Sequence, residues 1–207
     1  MSGSDAQTAQ GLGTRASREF GIFVFLGSEA LLFGALFVVY AFARMGNGLT
    51  FAAASHQLSL WIGTTNTFIL LTSSLAAALA TIWSNGNQPT KARWAMLATA
   101  ALGCLFLALK AYEYADEFGR GLLPVLGQDF AYSGPDPQHA RLFFETYLAL
   151  TLVHALHLLS GIVVMVSLSA AWKRLRQPDA ATKLAALYWH FVDIVWIFLF
   201  PALYLVR

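Results

Sequence analysis

The sequence predicts an all-α protein, an integral membrane bundle of five transmembrane helices, and three observations carry that reading. Of its 207 residues 57% are apolar and only 12% charged, against the roughly 25% charge of an average soluble domain. Five apolar segments reach the roughly 20 residues that cross about 30 Å of hydrocarbon. They run approximately Phe20–Ala43, Leu58–Trp83, Trp94–Tyr114, Leu142–Trp172 and Leu184–Val206. Within them small and polar residues recur at helical spacing, as they do where membrane helices pack closely. An open sheet could not satisfy its backbone in lipid.

The elements follow in order. Residues 1–19 are small and polar and read as a flexible tail ahead of an uncleaved first span, with Arg15 and Arg18 at its foot. A cleavable signal would carry a shorter apolar core. The first span bears Glu29 about nine residues in. The second carries Ser59, Gly63, Asn66, Leu70, Ser73 and Ala77 at alternating four and three spacing, a stripe suited to helix contact. In the third, Cys104 reads as a small buried hydrophobe, and as the single cysteine it forms no internal disulfide or thiolate cluster. Lys110 lies near the outer end of that span and is expected to snorkel to the surface.

Residues 115–141, with Asp116, Glu117 and Asp129, are rich in Gly, Pro and Asp and read as an irregular exposed connection. The fourth span is longer than a crossing needs and is expected to tilt or extend past the bilayer. Tyr147, Thr151, His154, Leu158 and Gly161 form its contact stripe. Trp61, Trp83, Trp94 and Trp172 near span ends suit an interfacial belt. The flanking cations set an orientation: Arg15, Arg18, Lys91, Arg93, Lys173, Arg174, Arg176 and Lys183 lie on one side, and Arg44, Arg120, Arg141 and Arg207 on the other. Positive residues concentrate on the cytoplasmic side, which gives N-in, C-out. Residues 20–207 thus make a single membrane domain. The net charge of +2 is too small to argue for nucleic acid.

The chemistry-bearing residues lie inside the spans. A charge near the bilayer centre costs roughly 2.5–3.5 kcal/mol on insertion scales, so such groups face the interior. Glu29 and Asp193 reach a similar depth, and His154 and His157 project to neighbouring points of one helix. A polar cluster of Glu29, one of those histidines and the His190/Asp193 pair is geometrically possible. Each member must then be neutral, bonded or beside water. A structural hydrogen-bonded network is the expected role, with a proton path as the alternative. Haem ligation would need His154 or His157 opposite His190 on a facing helix. His56 and His139 sit in connections. No phosphate loop, nucleophile elbow or metal-ligand set is present, so neither catalytic nor metal-binding residues are expected.

Five segments in order resemble subunit III of the haem-copper oxidase superfamily. Gly27-Ser28-Glu29-Ala30 resembles that family's helix with an intramembrane Glu, and Asn66-Thr67 with Leu70-Leu71-Thr72-Ser73-Ser74 its next helix. Lys110-Ala111-Tyr112-Glu113-Tyr114 is similar to its Glu-x-Tyr signature, and His154-x-x-His157 with Gly161 to its paired-His helix. Tyr188-Trp189-His190-Phe191-Val192-Asp193 is the most specific element. The resemblance implies a non-catalytic accessory subunit of a bacterial inner-membrane respiratory complex. Such a subunit supports assembly, proton uptake and endurance of the catalytic subunit, with Glu29 associated with that role. It also implies haem and copper in the partner subunit, none in this chain, and contact with structural phospholipid. The longer family form has seven helices, so lipid sites tied to its two extra helices do not carry over directly.

Five-helix members of that family include subunit III of quinol oxidases and the subunit-III-like protein that accompanies nitric oxide reductases, and Leu199-Phe200-Pro201-Ala202-Leu203-Tyr204-Leu205 with Leu152-Val153 before His154 resembles the latter branch. Two other readings stand beside this one: a haem-binding membrane cytochrome using His154 or His157 with His190, and a proton-coupled transporter built on Glu29 and Asp193. The lack of an internal repeat or broken helix pair argues against the transporter.

Overall fold

The computed structural model describes residues 3–124 and 130–206, with side chains from Phe20 onward. Its elements are α1 (Gly3–Arg44), α2 (Gly48–Ser55), α3 (Leu60–Asn85), α4 (Pro89–Gly119), α5 (Pro137–Ala171) and α6 (Pro178–Tyr204), with a 3₁₀ turn at Trp172–Arg174. Among the described residues five helices are long and apolar enough to cross a membrane.

Local chemistry sets the helix starts. Pro89, Pro137 and Pro178 open α4, α5 and α6, where proline's missing N–H would be unpaired in any case and its φ is already helical. The Ser59 side chain caps α3 by accepting from the Ile62 amide, and Asp136 caps α5 by accepting from the His139 amide. Gly46 and Gly121, at φ 84° and 69°, turn the chain just beyond α1 and α4, in a region open to glycine without a side-chain clash.

Four helices close on one another: α3 packs on α4, α4 on α5, α5 on α6 and α6 back on α3. The three residues between α3 and α4 leave room only for a reversal, so these helices run antiparallel. α1 lies outside this ring against α5 and α6, and α2 rests on α5. The two stripes face inward as their spacing requires. Gly63, Asn66, Leu70, Ser73 and Ala77 are buried on α3, and Tyr147, Thr151, His154, Leu158 and Gly161 on α5.

Close approach is most acute around Trp189, which is fully buried on α6. A Cβ on Gly103 would lie 2.7 Å from its ring, and one on Gly161 3.0 Å. Trp189 therefore fills space that only glycine leaves on α4 and α5.

Several expectations are corrected. Helix α4 continues to Gly119, so Asp116 and Glu117 are helical rather than in a loop, and Glu117 is buried. Its (i, i+3, i+7) relation to Lys110 and Glu113 keeps it on the inner face. Asp129, placed in the same connection, lies outside the described residues. Lys110 does not snorkel but is buried between helices, because acceptors from three helices converge on its ammonium. Cys104 is exposed on the bundle surface, since Gly103 and Phe106 occupy the inward positions beside it.

The connection after α1 contains an unforeseen short helix, α2, with Phe51 and Ala54 buried against the core. The backbone of α1 is helical from Gly3, and its apolar stretch of membrane-crossing length runs Phe20–Arg44. A helix once formed propagates at one bond per residue. The side chains of Arg15 and Arg18, and all of Arg207, lie outside the described residues.

Candidate functional site

The anticipated polar residues occupy separate settings in the bundle rather than one cluster. The first joins α1 to α5. His157 Nε2 lies 2.8 Å from Glu29 Oε2, and its Nδ1 lies 2.8 Å from the Val153 carbonyl. A carbonyl only accepts, so Nδ1 carries a hydrogen. The Nε2–Glu29 bond then contains one further proton, either on the imidazole or on the carboxyl. The pair is neutral as a unit in both arrangements, which suits its part-buried position between helices. Phe33 packs edge-on against the His157 ring at 5.0 Å, and the Tyr188 hydroxyl donates to the His157 carbonyl at 3.0 Å. Helix α1 is thus tied to the bundle by this pair, by the Tyr40 hydroxyl, which donates to the Ala202 carbonyl of α6, and by aromatic packing.

The second setting joins α3 to α6. Ser74 Oγ lies 2.7 Å from His190 Nδ1, and the buried Asp193 carboxyl sits beside the same serine. One residue earlier on α3, Ser73 accepts the Trp189 indole N–H at 3.0 Å. A helical turn or two farther on, Thr67 accepts the Trp196 indole N–H at 3.1 Å. Adjacent serines thus receive adjacent residues of α6, which fixes the register between the two helices. Buried indole N–H groups need such partners.

His154 stands apart from both settings. It is 0% exposed, and its ring lies 5.6 Å from that of Phe106 and 5.2 Å from that of Trp196. Neither of its ring nitrogens has a hydrogen-bond partner among the described residues. The three histidines therefore have three different surroundings: a carboxyl, a serine and an aromatic sandwich. Among the described residues no three His, Cys, Asp or Glu side chains gather as a metal site.

A third setting went unrecognised in the sequence. Lys110, Glu113 and Glu117 of α4 meet Tyr147 of α5 and Tyr204 of α6. Lys110 Nζ donates to Glu113 Oε2 at 2.7 Å and to the Tyr147 and Tyr204 hydroxyls at 2.9 Å each. Tyr204 donates to Glu113 Oε2 at 2.8 Å, and Tyr147 to Glu117 Oε1 at 2.9 Å. Tyr114 donates to Thr151 at 2.6 Å beside this group. The Lys110 ammonium also lies 4.8 Å and 4.9 Å from the ring centres of Tyr114 and Tyr147, close enough for cation–π attraction. The spacing of 110, 113 and 117 held the signal, because three charged residues on one helical face inside a span point inward. The Glu-x-Tyr signature marks Glu113 and Tyr114 in the sequence, but it does not link them to Lys110, Glu117, Tyr147 and Tyr204.

With this geometry in view, similarity to known proteins becomes decisive. The family model for cytochrome c oxidase subunit III matches residues 4–206. The chain belongs to the cytochrome c oxidase subunit III family. It is 31% identical over 194 residues to "Cytochrome c oxidase subunit 3" of Thermostichus vulcanus, covering 91% of this chain and 87% of that protein. It is 29% identical over 191 residues to "Probable quinol oxidase subunit 3" of Staphylococcus epidermidis strain RP62A, covering 91% and 88%. The corresponding Staphylococcus aureus USA300 protein, of the same description, is 28% identical over 192 residues. These relatives are described as subunits of cytochrome c and quinol oxidases, and none as a companion of a nitric oxide reductase.

The chain is accordingly a subunit III homologue, related to the non-catalytic subunit of haem-copper oxidases. Within that family framework, Glu29 and His157 form a polar bridge between the outlying α1 and α5. The His190–Asp193 segment, with Trp189, forms the register lock between α3 and α6.

Proposed function

We propose that this subunit III homologue is an accessory, non-catalytic partner of a haem-copper catalytic subunit in a bacterial inner membrane. Its N-terminus is cytoplasmic and its C-terminus extracytoplasmic. The observation that carries the reading is the family match across residues 4–206. Haem and copper belong to the partner subunit. Here the chain supports assembly, proton uptake and endurance of the catalytic centre, with Glu29 and His157 as the pair through which that support acts.

The groove beside this pair supports a place for structural phospholipid. It has a volume of about 530 Å³ and is lined by Phe25, Leu156, His157, Val164, Leu184 and Tyr188, among others. An acyl chain fits such an apolar furrow between α1 and α5–α6. The descriptions of the relatives favour an oxygen-reducing oxidase. The nitric-oxide-reductase-associated branch rests only on the Leu199–Leu205 ending and on Leu152-Val153, and gains no support from those relatives.

Purification in mild detergent from cells that also express the catalytic subunit tests the proposal. A complex containing both chains, with all haem assigned to the partner, is the expected result. Recovery of this chain as a monomer under those conditions would count against an accessory role. The cytochrome reading meets a structural difficulty, because His157 is engaged by Glu29 and Val153 and His190 by Ser74.

A further inference from the structure

The junction of α4, α5 and α6 contains one buried ammonium and two buried carboxyl groups. Lys110 and Glu113 are each 2% exposed and Glu117 is 0% exposed. An ammonium has three hydrogens, and Lys110 Nζ directs one to each of three acceptors. Its charged form is therefore fully used. Each tyrosine accepts from Lys110 and sends its own hydrogen to a carboxyl, Tyr204 to Glu113 and Tyr147 to Glu117.

That assignment leaves Glu113 Oε1 and Glu117 Oε2 buried without hydrogen-bond partners among the described residues. Among the described residues the neighbouring elements bring no second compensating cation. From α5 come Tyr147, Thr151 and the neutral-facing His154 sandwich, and from α6 comes Tyr204. Helix α3 contains no charged residue. Arg120, beyond the end of α4, is matched by Asp116 at 2.7 Å and is partly solvated. Two carboxylates against one ammonium would leave a net buried charge, which a dry interior opposes strongly.

We propose that the Glu113/Glu117 pair is a proton-binding site that holds one proton, so that the α4–α5–α6 junction is neutral. The proton belongs to the pair as a coupled unit. It resides chiefly on Glu117, because Glu113 already receives two hydrogens, one of them from the ammonium, whereas Glu117 receives a single hydrogen from Tyr147. The site is separate from the Glu29–His157 pair and uses none of its residues. Its ligand is a proton from the adjoining aqueous phase, and its loss would place an uncompensated carboxylate among three helices.

Infrared spectroscopy of the purified full chain at neutral pH tests the assignment. Glutamate labelled with ¹³C at the side-chain carboxyl separates these groups from every aspartate. A Glu19→Gln/Glu29→Gln background removes two further glutamates and leaves Glu113, Glu117 and the exposed Glu145, which pairs with Arg141. A label-sensitive protonated-carboxyl band that shifts in D₂O is expected in that background. Adding Glu117→Gln should abolish it. Absence of the band from the background protein would overturn the proposal, and this arm requires no change at the junction. Survival of the band in both Glu113→Gln and Glu117→Gln proteins would overturn it equally.

Discussion

The Glu29–His157 pair and Lys110 show two routes by which polar side chains enter the membrane interior at tolerable cost. Glu29 and His157 neutralise one another across two helices at 2.8 Å. Replacing Glu29 by Gln keeps its shape and one hydrogen-bonding partner for His157, so assembly with the catalytic subunit should survive. Initial oxidase activity should be near normal and should then decline sooner during sustained turnover. Full loss of initial activity in an intact complex would instead make Glu29 an obligatory proton carrier, and unchanged endurance would reduce it to packing. Lys110 is held by three acceptors. Lys110→Met removes the cation and leaves its carboxyl partners buried, a change of the kind that typically costs about 3–5 kcal/mol. A markedly lower thermal unfolding midpoint of the purified protein is expected, and an unchanged midpoint would show that the network adds nothing to stability.

At the scale of helices, spacing is governed by where a side chain is absent. Helices α4 and α5 approach α6 closely at Gly103 and Gly161, where the ring of Trp189 takes the space of a side chain. Gly63 of α3 does the same for Phe200 and Tyr204, with a Cβ only 2.9 Å from each ring. Gly103→Val should force these helices apart and lose about 1–3 kcal/mol, as overpacked cores do. Gly27→Ala and Gly34→Ala on α1 meet nothing within 4 Å and should unfold like the parent. Comparing the three proteins by thermal unfolding in one detergent checks this, and equal midpoints would contradict the close packing around Trp189. Trp189 and Trp196 reinforce the same contacts through Ser73 and Thr67.

For the whole molecule, the ring of α3–α6 with α1 outside it accounts for an asymmetric surface. Helix α1 has little of its apolar length covered by this chain, so lipid or another subunit must cover the rest. The proposed orientation, with a cytoplasmic N-terminus, rests on the distribution of flanking cations. A reporter that fluoresces only in the cytoplasm should be dark when fused after Arg207, and a bright one would reverse the orientation. The purified chain should also show no haem Soret band. A band abolished by His154→Ala or His190→Ala would revive the cytochrome reading.

Hydropathy and spacing alone determined the number of spans, their order and the inward faces of α3 and α5, because helical periodicity and the thickness of hydrocarbon are local constraints. They also brought Glu29, His157, His190 and Asp193 to notice, since a polar residue within an apolar run is visible without any knowledge of its partner. The tertiary structure decided the pairing. Glu29 met His157 while His190 met Ser74, and His154 met only rings, because partners more than 100 residues apart in the chain are chosen by helix rotation and depth. It likewise turned Lys110 inward and drew Glu117 out of an expected loop. A lysine near a span end can reach water or a buried carboxylate, and only the tyrosines delivered by α5 and α6 settle which environment is the better solvent for its charge.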